Sequence, residues 1–222
     1  MSSDIRIYGI DNAITFKKTK EKYGGLSNMA SGYPINLNNI RILTSEALYQ
    51  SLRYPEYPEF QKEIILQRSP MTAKMISKKY LKMTRHDWDT SRISIMRWCL
   101  KIKLMQNWDK FGMLLLSTQD KRIVELSTKD KFWGAILNEE QGKIVGTNAL
   151  GRLLMELREE IPDLVGDKII LPPKIENFYF LGNPIEGMRF KNMNHPNSNN
   201  LQFYAMELSN YQLIIHQNKQ KK

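Results

Sequence analysis

The sequence predicts an α+β fold, mainly helical with a few short strands, that closes in a small β-rich extension. From Phe16 to Ile161, apolar residues recur at helical spacing, with capping residues and prolines at the segment starts. Beyond that point Pro162, Pro172, Pro173, Pro184 and Pro196 punctuate short runs of aromatic and β-branched residues. With 41% of its 222 residues hydrophobic, the chain has the material for a sizeable core. We place a boundary at Pro162, dividing a first domain over 1–161 from a basic β-rich extension over 162–222.

Taken in order, IRILT supplies the first well-marked strand, and Thr44 or Ser45 then caps a helix running to about Tyr54. Pro58 suits the first turn of a second helix and Pro70 that of a third. A longer helix is expected from about Thr90 to Trp108, followed by a strand in RIVELS. In TNALGRLLMELREEI, Leu150, Leu153, Leu154 and Leu157 form one apolar stripe, which reads as core. In the extension, Ile169 to Leu171, Phe178 to Leu181, Leu201 to Leu208 and Tyr211 to Ile215 read as strands. Lys191 to Asn200 reads as an exposed loop and NKQKK as a basic, frayed tail.

Composition narrows the chemistry. No apolar run is long enough to span a bilayer, and MSSDIRIYGIDN carries charge where a signal peptide needs an apolar segment, so the expected location is the cytoplasm, with no membrane partner. One cysteine, Cys99, builds neither a disulfide framework nor a cysteine-rich zinc site, and His86, His195 and His216 lack metal-ligand spacing. We therefore expect no metal and no cofactor, with the chemistry falling to carboxylates, amides or lysine. Lys and Arg outnumber Asp and Glu by 33 to 23, a net charge of +10. That excess suits a polyanionic partner, although a basic surface also serves solubility alone.

Two helices carry candidate constellations. Glu46, Tyr49, Gln50 and Arg53 fall at i, i+3, i+4 and i+7, so a carboxylate, an amide and a guanidinium share one face; taken alone, such a stripe is usually a solvated surface. Arg92, Met96, Lys103 and Asn107 share a side of the long helix, with Lys103 set among Leu100, Ile102 and Leu104. A lysine buried there would have a lowered pKa and could act as an amine nucleophile, whereas most helical lysines snorkel to solvent. Asp87-Trp88-Asp89 and Asp130-Lys131-Phe132-Trp133-Gly134 pair aromatics with acids that could hold a sugar or base; capping Asp beside core Trp is the plainer reading. Gly142, Gly146 and Gly151 with Asn148 lead into the leucine helix, whose N-terminal amides could meet a phosphate.

Six motifs in order, YGGLSNMA, TSEALYQSLR, DWD, KIKLMQN, IVELSTKDKFWGA and GTNALGRLLMELR, resemble the NADAR family over roughly Phe16 to Ile161. The resemblance implies hydrolysis of N-glycosidic bonds of ribose derivatives. Two substrate classes are associated with it: ribosylamino-pyrimidines of the riboflavin pathway, and ADP-ribose on the amino group of guanine. It implies catalytic roles for Glu46 and Lys103, and substrate binding by Asn28, Gln50, Arg53, Trp88, Arg92, Asp130, Trp133, Gly134 and Asn148. SEALYQSLRYP departs from the riboflavin-type pattern after Tyr-Gln; with DWDTSRISIMRWCLKIKL and LPPKIENFYFLGNPI it looks more like members paired with DNA ADP-ribosyltransferase toxins. In those pairs the family member is the antitoxin and erases ADP-ribose from guanine in DNA. The expected partners are thus ADP-ribosylated DNA and a cognate toxin, with a riboflavin-intermediate glycosidase or a non-catalytic ADP-ribose-binding module as the alternatives.

Overall fold

A computed structural model describes residues 4–164 and 167–190. The chain enters through β1 (Arg6–Gly9) and β2 (Ala13–Phe16), then forms a hairpin of β3 (Ile35–Leu37) and β4 (Ile40–Ile42). Four helices follow: α1 (Ser45–Ser51), α2 (Pro58–Ile65), α3 (Pro70–Lys79) and α4 (Trp88–Gln106). A π-helical turn over Trp108–Gly112 leads into the short α5 (Met113–Leu116). Strands β5 (Arg122–Glu125), β6 (Ile136–Asn138) and β7 (Lys143–Gly146) precede α6 (Ala149–Leu164). The last described elements are β8 (Lys168–Ile170), β9 (Tyr179–Phe180), β10 (Asn183–Pro184) and β11 (Met188–Phe190).

The expected α+β class holds. Local chemistry explains the helix starts: the Thr44 hydroxyl accepts the Ala47 N–H at 3.2 Å, and Pro58 and Pro70 open their helices where no amide donor is needed. Strand β2 pairs parallel with β5, and β1, β7 and β6 form an antiparallel sheet. Against this frame α1 packs on α2, α3 and α4, while α6 packs on β5 and α4. The leucine stripe of α6 is core, as its spacing predicts: Leu150, Leu153, Leu154 and Leu157 are all buried.

Two boundaries differ from the sequence reading. Helix α1 stops at Ser51 rather than near Tyr54, because the chain tightens there and Tyr54 turns inward, its phenol donating to the Ser77 carbonyl at 2.5 Å. Helix α6 runs through Pro162 to Leu164, so the expected boundary falls inside it. A proline near a helix C-terminus loses only one intrahelical bond, and buried Ile161 and Leu164 on either side hold the last turn to the core.

The residues after α6 join the same core. Ile170, Phe178, Phe180 and Ile185 are buried in the main cluster, with Phe178 edge-on to Trp98. Gln61 of α2 donates to the Tyr179 carbonyl at 3.0 Å and accepts from the Leu181 amide at 2.5 Å. The strands expected at Leu201 to Leu208 and Tyr211 to Ile215, the loop from Lys191 to Asn200 and the tail NKQKK lie outside the described residues.

Candidate active site

Helix α1 is buried along its whole length, so the stripe that would ordinarily be a solvated face instead looks into the protein. There it forms the floor of a small cleft of about 80 Å³, closed by residues from five other parts of the chain. Asn28 and Met29 come from the loop before β3, Lys74 from α3, Met96 from α4, Glu125, Asp130 and Trp133 from the segment that ends β5 or follows it, and Leu150 from α6.

Glu46 is the centre of this arrangement. It is 5% exposed, and its Oε1 accepts from Gln50 Nε2 at 2.9 Å. Gln50 is oriented in turn by the Ser77 hydroxyl, which donates to Oε1 of Gln50 at 2.8 Å. Burial pushes the Glu46 carboxyl above the usual carboxylate range, opposed by Lys74, Gln50, Arg53 and Asn28. Asn28 is held by the Ser45 hydroxyl, which donates to its Oδ1 at 2.9 Å. Tyr49 stands beside Glu46 as an uncharged phenol, its pKa raised well above normal by burial and by Glu46. Its ring meets Trp88 at 5.1 Å and Trp133 at 5.5 Å between centroids, which makes an aromatic wall.

Glu125 is a second carboxylate in the cleft, and the sequence reading passed over it. Burial, with repulsion from Glu46 and Asp130, brings its pKa up to about 7. Lys74 opposes the rise at both carboxyls, whereas only Glu46 also has Gln50 and Arg53 against it. Lys74 was missed as well; its place in a lysine-rich surface helix gave no sign that it would line a cleft.

The Asp130–Gly134 turn is built in place by its neighbours. Asp130 Oδ1 accepts the amides of Phe132 and Trp133 at 2.8 and 2.9 Å, which sets the Trp133 ring on the wall. The leading amides of α6 then dock onto this turn: Thr147, Asn148, Ala149 and Leu150 donate to the carbonyls of Lys131, Gly134, Phe132 and Trp133. Those donors are therefore spent inside the protein, and the phosphate site expected at this helix start is not available. Asn148 is fully buried and serves the same junction, accepting the Glu125 amide at 3.1 Å and donating to the Ile123 carbonyl at 2.8 Å. Gly134 permits the close approach, since a Cβ there would sit 2.6 Å from the Glu125 carbonyl oxygen. Gly134→Ala is expected to cost about 1–3 kcal/mol through overpacking and to displace Trp133; a loss of tryptophan-dependent near-ultraviolet dichroism alongside a lower Tm would check it.

The remaining candidates lie beside or beneath the cleft. Arg53 stacks on Trp88 with its guanidinium carbon 4.5 Å from the ring centroid, and Arg92 lies 3.9 Å from that of Phe132. Both have a buried Nε with no partner. Lys103 does not line the cleft. It is wholly buried one layer below, where Nζ donates to the carbonyls of Gly25 and Ser27 at 2.9 and 3.0 Å and faces the rings of Tyr33 and Phe111. Burial alone draws its pKa down to about 7, as the surrounding apolar residues suggest it should. The loop it holds is the one that delivers Asn28 and Met29.

Two buried carboxylates set against an aromatic wall are equipped for acid–base cleavage of a glycosidic bond. Comparison with known proteins supports that class. The chain is 33% identical over 151 residues to N-glycosidase YbiA of Escherichia coli, covering 68% of this chain and 89% of that protein. It is 30% identical over 154 residues to an N-glycosidase of Nostoc punctiforme, covering 68% and 94%. A riboflavin biosynthesis protein of Vibrio vulnificus is 32% identical over 162 residues, which is 72% of this chain and 41% of that longer one. The NMR structure of E. coli YbiA matches with a TM-score of 0.59 at 32% identity, over 69% of this chain and 87% of that one. The protein is an enzyme of the class that hydrolyses N-glycosidic bonds. Its residues 15–162 match the NADAR domain, and the chain belongs to the NADAR family.

Proposed function

We propose that this enzyme hydrolyses the bond between ADP-ribose and the exocyclic amino group of guanine in DNA, and so serves as antitoxin to a DNA ADP-ribosyltransferase toxin. The observation that carries the chemistry is that Glu46 and Glu125 line one cleft, both carboxyls raised by burial and Glu46 alone given a hydrogen bond by Gln50 from its own helix face. Glu46, facing Lys74 and held by Gln50, is the carboxylate that stabilises positive charge growing on the anomeric carbon. Glu125 keeps its proton near neutral pH and delivers it to the leaving nitrogen. As the C1′–N bond breaks, its electron pair stays on nitrogen; water then adds to C1′ and gives its proton to Glu46. Free ADP-ribose and unmodified guanine leave, and the two carboxyls exchange protons with solvent.

The rest of the binding set follows from position. Trp133 and Tyr49 line the cleft and would flank the sugar, and the guanidiniums of Arg53 and Arg92, stacked on Trp88 and Phe132 beside it, would meet the diphosphate. Lys103 supports this site by holding the Tyr23–Ala30 loop. A Schiff base at Lys103 would require its amine to leave two carbonyls and reach the cleft. Borohydride added during turnover is expected to leave Lys103 unmodified, and an ADP-ribosyl mass on that residue would show that the loop lifts and the amine attacks.

The DNA reading draws on the net charge of +10 and on the motif pattern after Tyr49. A second reading, cleavage of a riboflavin-pathway ribosylamino-pyrimidine, is favoured by the name of the Vibrio relative. Release of ADP-ribose from an oligonucleotide bearing ADP-ribosylated guanine separates them: turnover of that strand supports the first, and turnover of the free ribosylamino-pyrimidine alone supports the second. Tight ADP-ribose binding with no hydrolysis of either would reduce the protein to a binding module.

The acid role of Glu125 has its own signature. Wild-type kcat should fall as pH rises above about 7, where Glu125 loses its proton. Glu125→Gln should lower kcat by about 10²-fold and abolish that limb. A limb that persists in the variant would assign the acid to another group.

A further inference from the structure

The outer face of α3 borders the cleft and, apart from Lys74, takes no part in the chemistry above. Between Glu63 and Asp87 the chain holds no acidic residue, while Arg68, Lys74, Lys78, Lys79, Lys82 and Arg85 follow one another. Helix α3 buries Ala73, Ile76 and Ser77 against the core, so helical spacing turns Met71, Lys74, Met75 and Lys78 the other way. Met71, Met75, Leu81 and Met83 are 57%, 62%, 51% and 43% exposed, so large apolar side chains stand between the cations. One lysine of this face, Lys74, lines the cleft. Beyond α3 the same segment ends at a surface notch lined by Lys82, Thr84, Arg85 and His86, with the exposed Glu56 at its edge.

That notch contains unspent donors. Arg85 is 8% exposed; its Nε and Nη2 are taken by Asp87 and the Glu176 carbonyl, but its Nη1 is buried without a partner. The Thr84 hydroxyl is buried and unpaired beside it. Buried donors left unsatisfied are costly, and a phosphate seated at Arg85 Nη1 and the Thr84 hydroxyl would satisfy both.

We infer that this ridge is a track for a single nucleic-acid strand, running from the notch along α3 to the cleft. The inference rests on the reading of a DNA-linked substrate. Phosphates would meet Lys78, Lys82 and the notch, while unstacked bases pack on the exposed thioethers. A duplex would present its phosphates and hide its base faces, leaving the methionines without a partner. The track would bring the strand to the cleft over α1, where the modified base enters unpaired.

The test is fluorescence anisotropy with a labelled single-stranded oligonucleotide that carries no ADP-ribose. Lys78→Glu combined with Lys82→Glu should weaken binding by about 10-fold or more, and should flatten the dependence of log affinity on log salt by about 1.4, at about 0.7 per phosphate contact. Met71→Ala combined with Met75→Ala should weaken binding without altering that slope. Lys110→Glu combined with Lys143→Glu makes the same charge change at two other exposed positions and should leave the slope intact. Equal losses in the two lysine pairs would reduce the effect to overall charge and overturn the track. Failure of the wild type to bind the strand would overturn it too, and would leave the ridge to a protein partner. Binding that follows the expected pattern, together with no ADP-ribose release from the modified strand, would sink the proposed substrate while the track stands.

Discussion

Replacing Glu46 with glutamine is expected to lower kcat for ADP-ribose release by about 10³-fold while leaving ADP-ribose binding nearly intact. The amide keeps the shape of the carboxylate and can still meet Gln50, but it neither carries the negative charge that opposes an oxocarbenium ion nor takes a proton from water. Stability should move the other way. The Glu46 carboxyl is buried and its pKa is raised, so the fold holds it against its preference for water. A neutral side chain removes that cost, and Tm should rise or stay level. Thermal melting and single-turnover release measured on the same sample decide the matter. A fall in Tm alongside the fall in kcat would make Glu46 a packing residue rather than a reacting one.

Lys103→Ala should produce the largest loss of stability, about 3–5 kcal/mol, because it opens a cavity and orphans the carbonyls of Gly25 and Ser27 together. Turnover should fall with it, since Asn28 and Met29 enter the cleft from that loop. The pH dependence separates the charge from the packing. With a folded pKa of about 7 against 10.5 for the free side chain, the unfolded chain binds a proton the folded one does not between those values, so stability rises with pH through that window. Glu125 acts with the opposite sign: its pKa is about 7 folded and 4.5 free, so the folded form holds the extra proton and stability falls as pH rises from 4.5 to 7. The two contributions meet in a minimum near pH 7, each with a slope of up to about 1.4 kcal/mol per pH unit. In Lys103→Met the rise above pH 7 should vanish while the fall below it remains. Denaturant midpoints from pH 5 to pH 9 would show this, and an unchanged rise in Lys103→Met would mean that another group titrates.

Local rules made much of the frame legible. Thr44, Pro58 and Pro70 mark helix starts through backbone donors they satisfy or lack, and the leucines of α6 declare a buried face by spacing alone. Glu46, Tyr49 and Gln50 could be picked out because one helix turn brings them together. Glu125 could not: it closes a short strand whose alternation reads as structure, and only the pairing of β5 with β2 and the packing of α6 bring it to the cleft. The burial of Lys103 was readable from its apolar neighbours, but its partners were not, because backbone carbonyls leave no mark in a sequence. For the same reason the start of α6 resembled an open anion site, when its amides are occupied by a turn in the preceding segment.

That occupied helix start also governs how the site moves. Four amides from Thr147 to Leu150 are tied to carbonyls between Lys131 and Gly134, so the wall bearing Trp133 cannot swing out unless the first turn of α6 unwinds. Helix α6 is itself anchored in the main core, which leaves this corner no inexpensive local opening. In hydrogen exchange these amides should therefore belong to the slowest class, exchanging only when the whole domain unfolds. A site with so stiff a back wall selects ligands by a fixed outline, and whatever adjustment binding requires must come from the ligand or from the loop resting on Lys103.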